Sequence, residues 1–319
     1  NIALTEIGQG TATVAAQIAS DRLRLPMERV KVAVERDTDK DPFDWQTVAS
    51  KGLLLTGNAI IAACDDLLRH AYTDAAQVLR AQPSDLDHDE EKIFVKQRPE
   101  ESVTFAALSV GYAYPNGNGV GGPLIGVGRY TAQGLTSLDK ETGQGLPALD
   151  WTYGAHGVIT EVDPETGEYT VIKIASAFDV GKVINPGTLR GQCIGGMVQG
   201  LGTAQCESYI YDDEGHLLNP SLTDNKILTS KDLPEQIECI AVETPQLDGP
   251  FGARGVGEHP MISVAPALAN AIHDATGAEL THMPVRSEDV WRAINNKVSP
   301  DTWVTKVPSG ERSSDAVPS

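Results

Sequence analysis

A lone carboxylate, Glu258, closes the turn FGARGVG (251–257) and opens directly onto HPMISVAPALANAIHDATG (259–277). Met261, Val264, Leu268, Ala271, Ile272 and Ala275 keep a helical period, and Gly277 supplies a C′ stop. Pro260 and Pro266 make the regular helix start near Ser263 or kink. The acid therefore sits between a glycine turn and a buried helix, where an unpaired carboxylate is costly. Helix caps favour Asp, Asn, Ser or Thr over Glu. The pattern favours a carboxylate used on a ligand, with the glycines allowing that ligand close approach.

Three further stretches carry chemistry-bearing groups. EIGQGT (6–11) puts glycines and backbone N–H groups where a strand feeds a helix, an arrangement that attracts anions but is shared by plain glycine turns. DWQTVASKG (44–52) offers Thr47, Ser50 and consecutive amides, and equally suits a capped loop before a helix. GQCIGGMVQGLG (191–202) places Gly191, Gly195, Gly196 and Gly200 in one helix, at a cost of about 1 kcal/mol each relative to alanine. Close approach to another helix or to a cofactor would offset that cost. Gln192 and Gln199 add amides that both donate and accept.

The elements that must position these groups follow from periodicity. Ile2–Thr5 alternates as a strand, and Val14, Ile18 and Leu25 suggest a helix ending at Leu25-Pro26. Val30–Val34 reads as a second strand and DPFDWQTVASKG as a polar loop. A helix is expected over roughly 57–79, with Ile60, Cys64, Leu67 and Leu68 on one face. Residues 82–92 read as an acidic surface turn, IFVKQ as a short strand, and ESVTFAALSVG as strand then helix with Phe105 and Leu108 inward. The stretch 111–149 is a long connection of little periodicity. Two strands flank the hairpin signal Asp163-Pro164-Glu165-Thr166-Gly167. The polar, Pro/Ser-rich end is expected to be disordered.

With 25 basic and 44 acidic residues in 319, the net charge of −19 excludes a basic nucleic-acid surface. An anionic ligand must be held by backbone amides or a few local cations. Cys64, Cys193, Cys206 and Cys239 form no CxxC pair, so neither a zinc ribbon nor an iron–sulfur cluster is encoded, and reduced core thiols are expected. No apolar run approaches membrane-spanning length, which points to a cytoplasmic protein. The chain starts at Asn1, as a split or trimmed part of a larger architecture would.

Taken in order, EIGQGT, DVGKVINP, GQCIGGMVQGLG and GARGVGE resemble the molybdenum hydroxylase family of xanthine dehydrogenase, aldehyde oxidoreductase and nicotinate dehydrogenase. The match is to the C-terminal part of the molybdopterin-binding subunit. The resemblance implies an α+β fold of two mixed α/β lobes of the xanthine dehydrogenase type. It places the first lobe at 1–110, a glycine-rich connection at 111–150, a second lobe carrying the catalytic Glu at 151–305, and a disordered tail at 306–319. It assigns cofactor contacts to Gly8, Gln9, Gly10, Thr47, Ala49, Ser50, Gln192 and Gly257, with Glu258 as catalytic base and no direct protein ligand to the metal. The implied cofactor is molybdopterin in its cytosine dinucleotide form with molybdenum, and 2Fe-2S clusters and FAD belong on partner subunits. Implied partners are a chain supplying the N-terminal portion of the molybdopterin subunit, an iron–sulfur subunit and a flavin subunit. The implied reaction hydroxylates an electrophilic carbon of an aromatic N-heterocycle with water as oxygen source. Aldehyde oxidation is the alternative, as is a non-catalytic subunit completing a partner's fold. His259 stands where many relatives carry proline, and Gly52 where some have serine.

Overall fold

The computed structural model describes residues 1–33, 37–44 and 46–295. Val34 of the anticipated second strand, Trp45 of the polar loop, and the anticipated tail lie outside the described residues, as do residues 296–305. The chain forms two compact units interleaved along the sequence. The first takes Asn1–Gly154, Ala177–Cys193 and Cys239–His259; the second takes Ala155–Ser176, Ile194–Glu238 and the described residues from Pro260 onward.

In the first unit, α1 (Thr11–Leu23) packs against the long α2 (Gly52–Leu79). α1 buries Ala15, Ala16 and Ile18; α2 buries Leu54, Gly57, Cys64, Ala71, Ala75 and Ala76. The close approach is at Gly57, where a Cβ would lie 3.2 Å from Ile18 Cδ1. α1 stops where Arg24 turns left-handed and Leu25 N–H donates to Ser20 O (2.9 Å), just ahead of Pro26. The expected strand at Ile2–Thr5 is irregular. Its Thr5 carbonyl accepts from the Thr47 hydroxyl (2.9 Å) and the Gln9 amide (3.0 Å) instead of from a neighbouring strand. Leu4 is buried over Gly52.

An antiparallel sheet of β1 (Leu86–His88), β2 (Lys92–Val95) and β3 (Arg98–Thr104) packs on the second half of α2 and on the short α3 (Phe105–Leu108). Ala71, Ala75, Leu86, Ile93, Val95, Val103 and Leu108 form its core. The stretch 82–92 is thus not simply a surface turn. Leu86 and His88 point inward while Asp87 faces out to Arg24 (2.9 Å), so the acidic residues mask a strand. His88 is held by the Tyr72 hydroxyl at 2.7 Å.

The connection after 110 also contains structure, a hairpin of β4 (Val110–Ala113) and β5 (Gly119–Pro123) closed through Gly117 at φ 86°. Beyond it the chain lies on the backbone of α2. A Cβ at Gly126 would come within 2.2 Å of Ala63 O, and one at Gly128 within 2.0 Å of Ala59 O. The glycines of this stretch serve that approach, and Val127 N–H bonds Asp66 at 3.0 Å.

The remaining strands, β6 (Gly154–Val162), β7 (Tyr169–Asp179) and β8 (Gln236–Val242), form a sheet in that order. β6 and β7 meet at the expected hairpin, where Asp163 O accepts from Gly167 N–H (2.8 Å). Helix α4 (Pro186–Gln205) carries the glycine stripe, and in the second unit that stripe meets α5 (His259–Ile262) and α6 (Val264–Thr276). A Cβ at Gly196 would lie 2.6 Å from Pro260, and one at Gly200 2.6 Å from Val264, so these two glycines serve helix packing. Gly191 and Gly195 have nothing within 4 Å. The break between α5 and α6 falls at Ser263, whose hydroxyl meets His156 Nδ1 at 2.6 Å. Val264, Leu268 and Ile272 are fully buried, and Gly277 caps α6 at φ 72°. A last helix, α7 (Ser287–Ile294), buries Val290. Helices and sheets in largely separate segments make this an α+β fold.

Candidate functional site

A cleft of about 320 Å³ in the first unit brings together four stretches distant in sequence. Gln9, Gly10, Thr47, Ser50, Gln192, Gly257 and Glu258 all line it. Of the residues singled out from sequence, Gly8 and Ala49 are not among its lining. Gly8 is exposed at φ 105° with open space around it.

Glu258 is exposed at the rim, not buried as its position before an apolar helix suggested. The reason is its anchorage to the loop 47–50. Oε1 accepts from Ala49 N–H (3.1 Å), Oε2 lies a long 3.5 Å from the Ser50 hydroxyl, and the Glu258 N–H donates to Ser50 Oγ (3.0 Å). Ala49 and Ser50 are both left-handed (φ 60° and 51°), a pair of sparsely populated conformations that aims amide and hydroxyl at one carboxylate. Ala49 therefore serves Glu258, not the cleft wall.

The same contact explains a glycine that sequence reasoning passed over. A Cβ on Gly255 would fall 1.6 Å from Ser50 O, against 3.1 Å from Ser50 Oγ for Gly257. Only glycine lets the two loops close. Gly255→Ala is expected to destabilise the chain by roughly 1–3 kcal/mol or more through overpacking. Gly8→Ala, strained only by its φ, should cost about 1 kcal/mol. Urea midpoints of the two variants check the contrast, and equal small losses would mean the loops part easily.

Asp179, at the end of β7, organises the next layer. Oδ1 accepts from the N–H groups of Gly181 and Thr244 (both 3.1 Å), and Oδ2 pairs with Arg254 Nη1 at 3.1 Å. Burial alone would raise this carboxyl's pKa, yet the two amides and the guanidinium hold it below the usual aspartate range. Arg254 also donates from Nε to Gln246 (2.9 Å) and from its backbone to Val180 O (2.9 Å), fixing the turn four residues ahead of Glu258. Asp179 and Arg254 are in the motifs DVGKVINP and GARGVGE, but nothing in either motif announces the pairing.

Helix α4 enters the cleft through a capped start. Asn185 Oδ1 accepts from Thr188 N–H (3.0 Å), Pro186 is the first helical residue, and the Asn185 amide bonds Gln17 (2.9 Å). Gly10 is pressed against Thr188, where a Cβ would lie 2.6 Å from the methyl. Gln192, one turn on, is half-buried and makes no side-chain hydrogen bond among the described residues. Gln9 is already engaged: its amide N–H groups go to Thr5 O and Thr11 Oγ1 (2.7 Å), and its carbonyl accepts from Ile7 N–H (2.7 Å). His259 sits edge-to-face against Phe178 at 5.1 Å between ring centres.

The four cysteines are free thiols. Cys64 is pushed up to about 11 by burial, and Cys193 is raised by its hydrogen bond with Cys239 and by burial. Among the described residues no helix is long and apolar enough to cross a membrane.

Known proteins resemble this chain over most of its length. The chain is 29% identical over 306 residues to the nicotine 6-hydroxylase large subunit of Paenarthrobacter nicotinovorans, covering 94% of this chain and 36% of that one. It is 32% identical over 295 residues to the xanthine dehydrogenase molybdenum-binding subunit of Escherichia coli O157:H7, covering 91% and 37%. A crystal structure of Cu,Mo-CO dehydrogenase superposes with a TM-score of 0.77 at 27% identity, over 92% of this chain and 35% of that one. The chain thus spans little more than a third of the length of these relatives. The family model for the molybdopterin cofactor-binding domain matches residues 1–234, and the chain belongs to that family.

Proposed function

We propose that this chain is the catalytic portion of a molybdopterin subunit in a multi-subunit hydroxylase, acting on an electrophilic carbon of an aromatic N-heterocycle with water as oxygen source. The observation that carries the reading is Glu258 at the rim of the cleft, held by Ala49 and Ser50 with one oxygen only loosely engaged. The cleft suits a hydrogen-bonding pterin: it offers the Gln192 amide as donor and acceptor, the Thr47 hydroxyl oxygen as acceptor, and small residues along the walls. Gln9, Gly10, Thr47, Ser50, Gln192 and Gly257 would hold the cofactor, with Gly8 and Ala49 in the loops that carry them. When bound, molybdopterin in its cytosine dinucleotide form supplies two-electron molybdenum redox chemistry.

Glu258 takes a proton at Oε2, because Oε1 is committed to Ala49 N–H while Oε2 has only the long Ser50 contact. The Glu258 backbone N–H, donating to Ser50 Oγ, fixes the main chain, and Ala49 N–H on Oε1 keeps the carboxylate from swinging away. Gln192 orients the pterin through its amide.

Names among the relatives, nicotine 6-hydroxylase and xanthine dehydrogenase, support an N-heterocycle as substrate. The remaining length of such a subunit, an iron–sulfur subunit with 2Fe-2S clusters and an FAD subunit complete the proposed cytoplasmic assembly. Purification of the native assembly, molybdenum and pterin analysis, and turnover of nicotinate, xanthine and simple aldehydes in ¹⁸O-water test the proposal. Label in a hydroxylated heterocycle is expected. Aldehyde turnover alone would replace the substrate class, and an assembly without molybdenum would overturn the reading.

A further inference from the structure

The stretch EIGQGT reads as a loop open to an anion, but the fold fills that place with a side chain of its own. Glu6 Oε1 accepts from the N–H groups of Gly8 and Gly10, both at 3.0 Å, and Oε2 accepts from Ala12 N–H at 2.9 Å. α1 begins at Thr11 with Gly10 as a left-handed N-cap that has no side chain to bond the first-turn amides. The carboxylate reaching back from position 6 satisfies donors that a helix start otherwise leaves open, with charge of the sign the helix dipole favours. Burial would raise this carboxyl's pKa, and the bonds from Ala12, Gly10, Gly8 and Thr11 outweigh burial and hold it low. The loop so formed has little freedom left. Gly10 is pressed on Thr188, and Gln9 is bonded through both ends of its amide, leaving one acceptor lone pair towards the cleft it lines.

We propose that Glu6 is a positioning residue for the cofactor loop, the permanent anion of the α1 N-terminus, so that this helix end shapes the loop and does not take a cofactor phosphate. The phosphate clause rests on the cleft being a cofactor site; the loop-holding clause rests on the three bonds alone. Two carboxylate oxygens are required. An amide keeps one acceptor but turns an N–H₂ towards the Ala12 or the Gly8 and Gly10 donors.

The test is amide hydrogen exchange of the full chain in its native assembly, comparing wild type, Glu6→Gln and Glu6→Ala. Loss of charge-assisted bonds should speed exchange over residues 8–12 by about tenfold to hundredfold in both variants, with α2 and α6 unchanged. Added formate should restore protection in Glu6→Ala, where it can enter the vacated space, and not in Glu6→Gln. Inorganic pyrophosphate should protect the loop in Glu6→Ala and not in wild type. Should Glu6→Ala fail to fold, the near-isosteric Gln variant still decides the first arm. Wild-type exchange in a folded variant, no rescue by formate, or pyrophosphate protection of the wild-type loop would each overturn the proposal. Molybdenum content of the wild-type assembly is read separately: its absence defeats the cofactor reading while the exchange result still judges Glu6.

Discussion

Glu258→Gln is expected to leave the fold and the molybdenum content of the assembly intact while lowering turnover by about 10²–10⁴-fold, the usual worth of a positioned base. Glutamine keeps the length of the arm and can still accept from Ala49 N–H, so the loop 47–50 stays closed. What it lacks is the basic oxygen at Oε2. Glu258→Asp should fail for a different reason, since the arm is one methylene shorter and cannot hold Ala49 and serve the cleft together. Rapid-reaction measurement of reduction by substrate in the metal-loaded assembly separates these outcomes from slow product release. Near-normal reduction in the Gln variant would leave Glu258 as a latch for the loop and nothing more.

Asp179→Ala is expected to cost about 3 kcal/mol or more, because it strands a guanidinium in the interior. The two side chains are only 14% and 10% exposed, and Arg254 would keep its hydrogen bond to Gln246 and the more distant charge of Asp150. The amides of Gly181 and Thr244 lose their acceptor in the same stroke. Adding Arg254→Leu should recover part of the loss, since removing both charges of such a pair is often close to neutral. Acid titration gives an independent check. A carboxyl held below its unfolded value near 3.9 contributes stability above that pH and loses it as pH falls through the folded value. The wild type should therefore show an acid limb of stability that the variant lacks. Equilibrium urea unfolding reads both effects, and a midpoint shift worth under about 1 kcal/mol would mean the pair is solvated and does not brace the turn.

What the sequence announces and what it conceals divide along the range of the interactions. α1, α2, α4 and α6 are legible because their apolar and small residues recur within one helix, and the 163–167 turn because its residue types demand it. The strand Leu86–His88 escapes notice because two inward residues are outnumbered by acids around them. The hairpin of residues 110–123 escapes because its second strand is mostly glycine, a residue of low β-propensity that leaves no alternating pattern to read. At the site, Glu258, Gln9 and Gln192 stand out by residue type among glycines. Glu6, Asp179 and Gly255 do not: their roles are defined by partners that only the fold brings near.

The interleaving of the two units sets an order of events during synthesis. Ala49 and Glu258 are 209 positions apart, and the turn that completes the cleft leaves the ribosome after nearly all of the second unit's earlier segments. Closing a loop of that length costs entropy that only the finished contacts return. α1, α2 and the 86–104 sheet can dock early, leaving Ala49 and Ser50 without Glu258 until residue 258 emerges. A nascent chain halted anywhere before that point presents an unfinished apolar cleft to the cell. Its exposure time is set by the elongation rate.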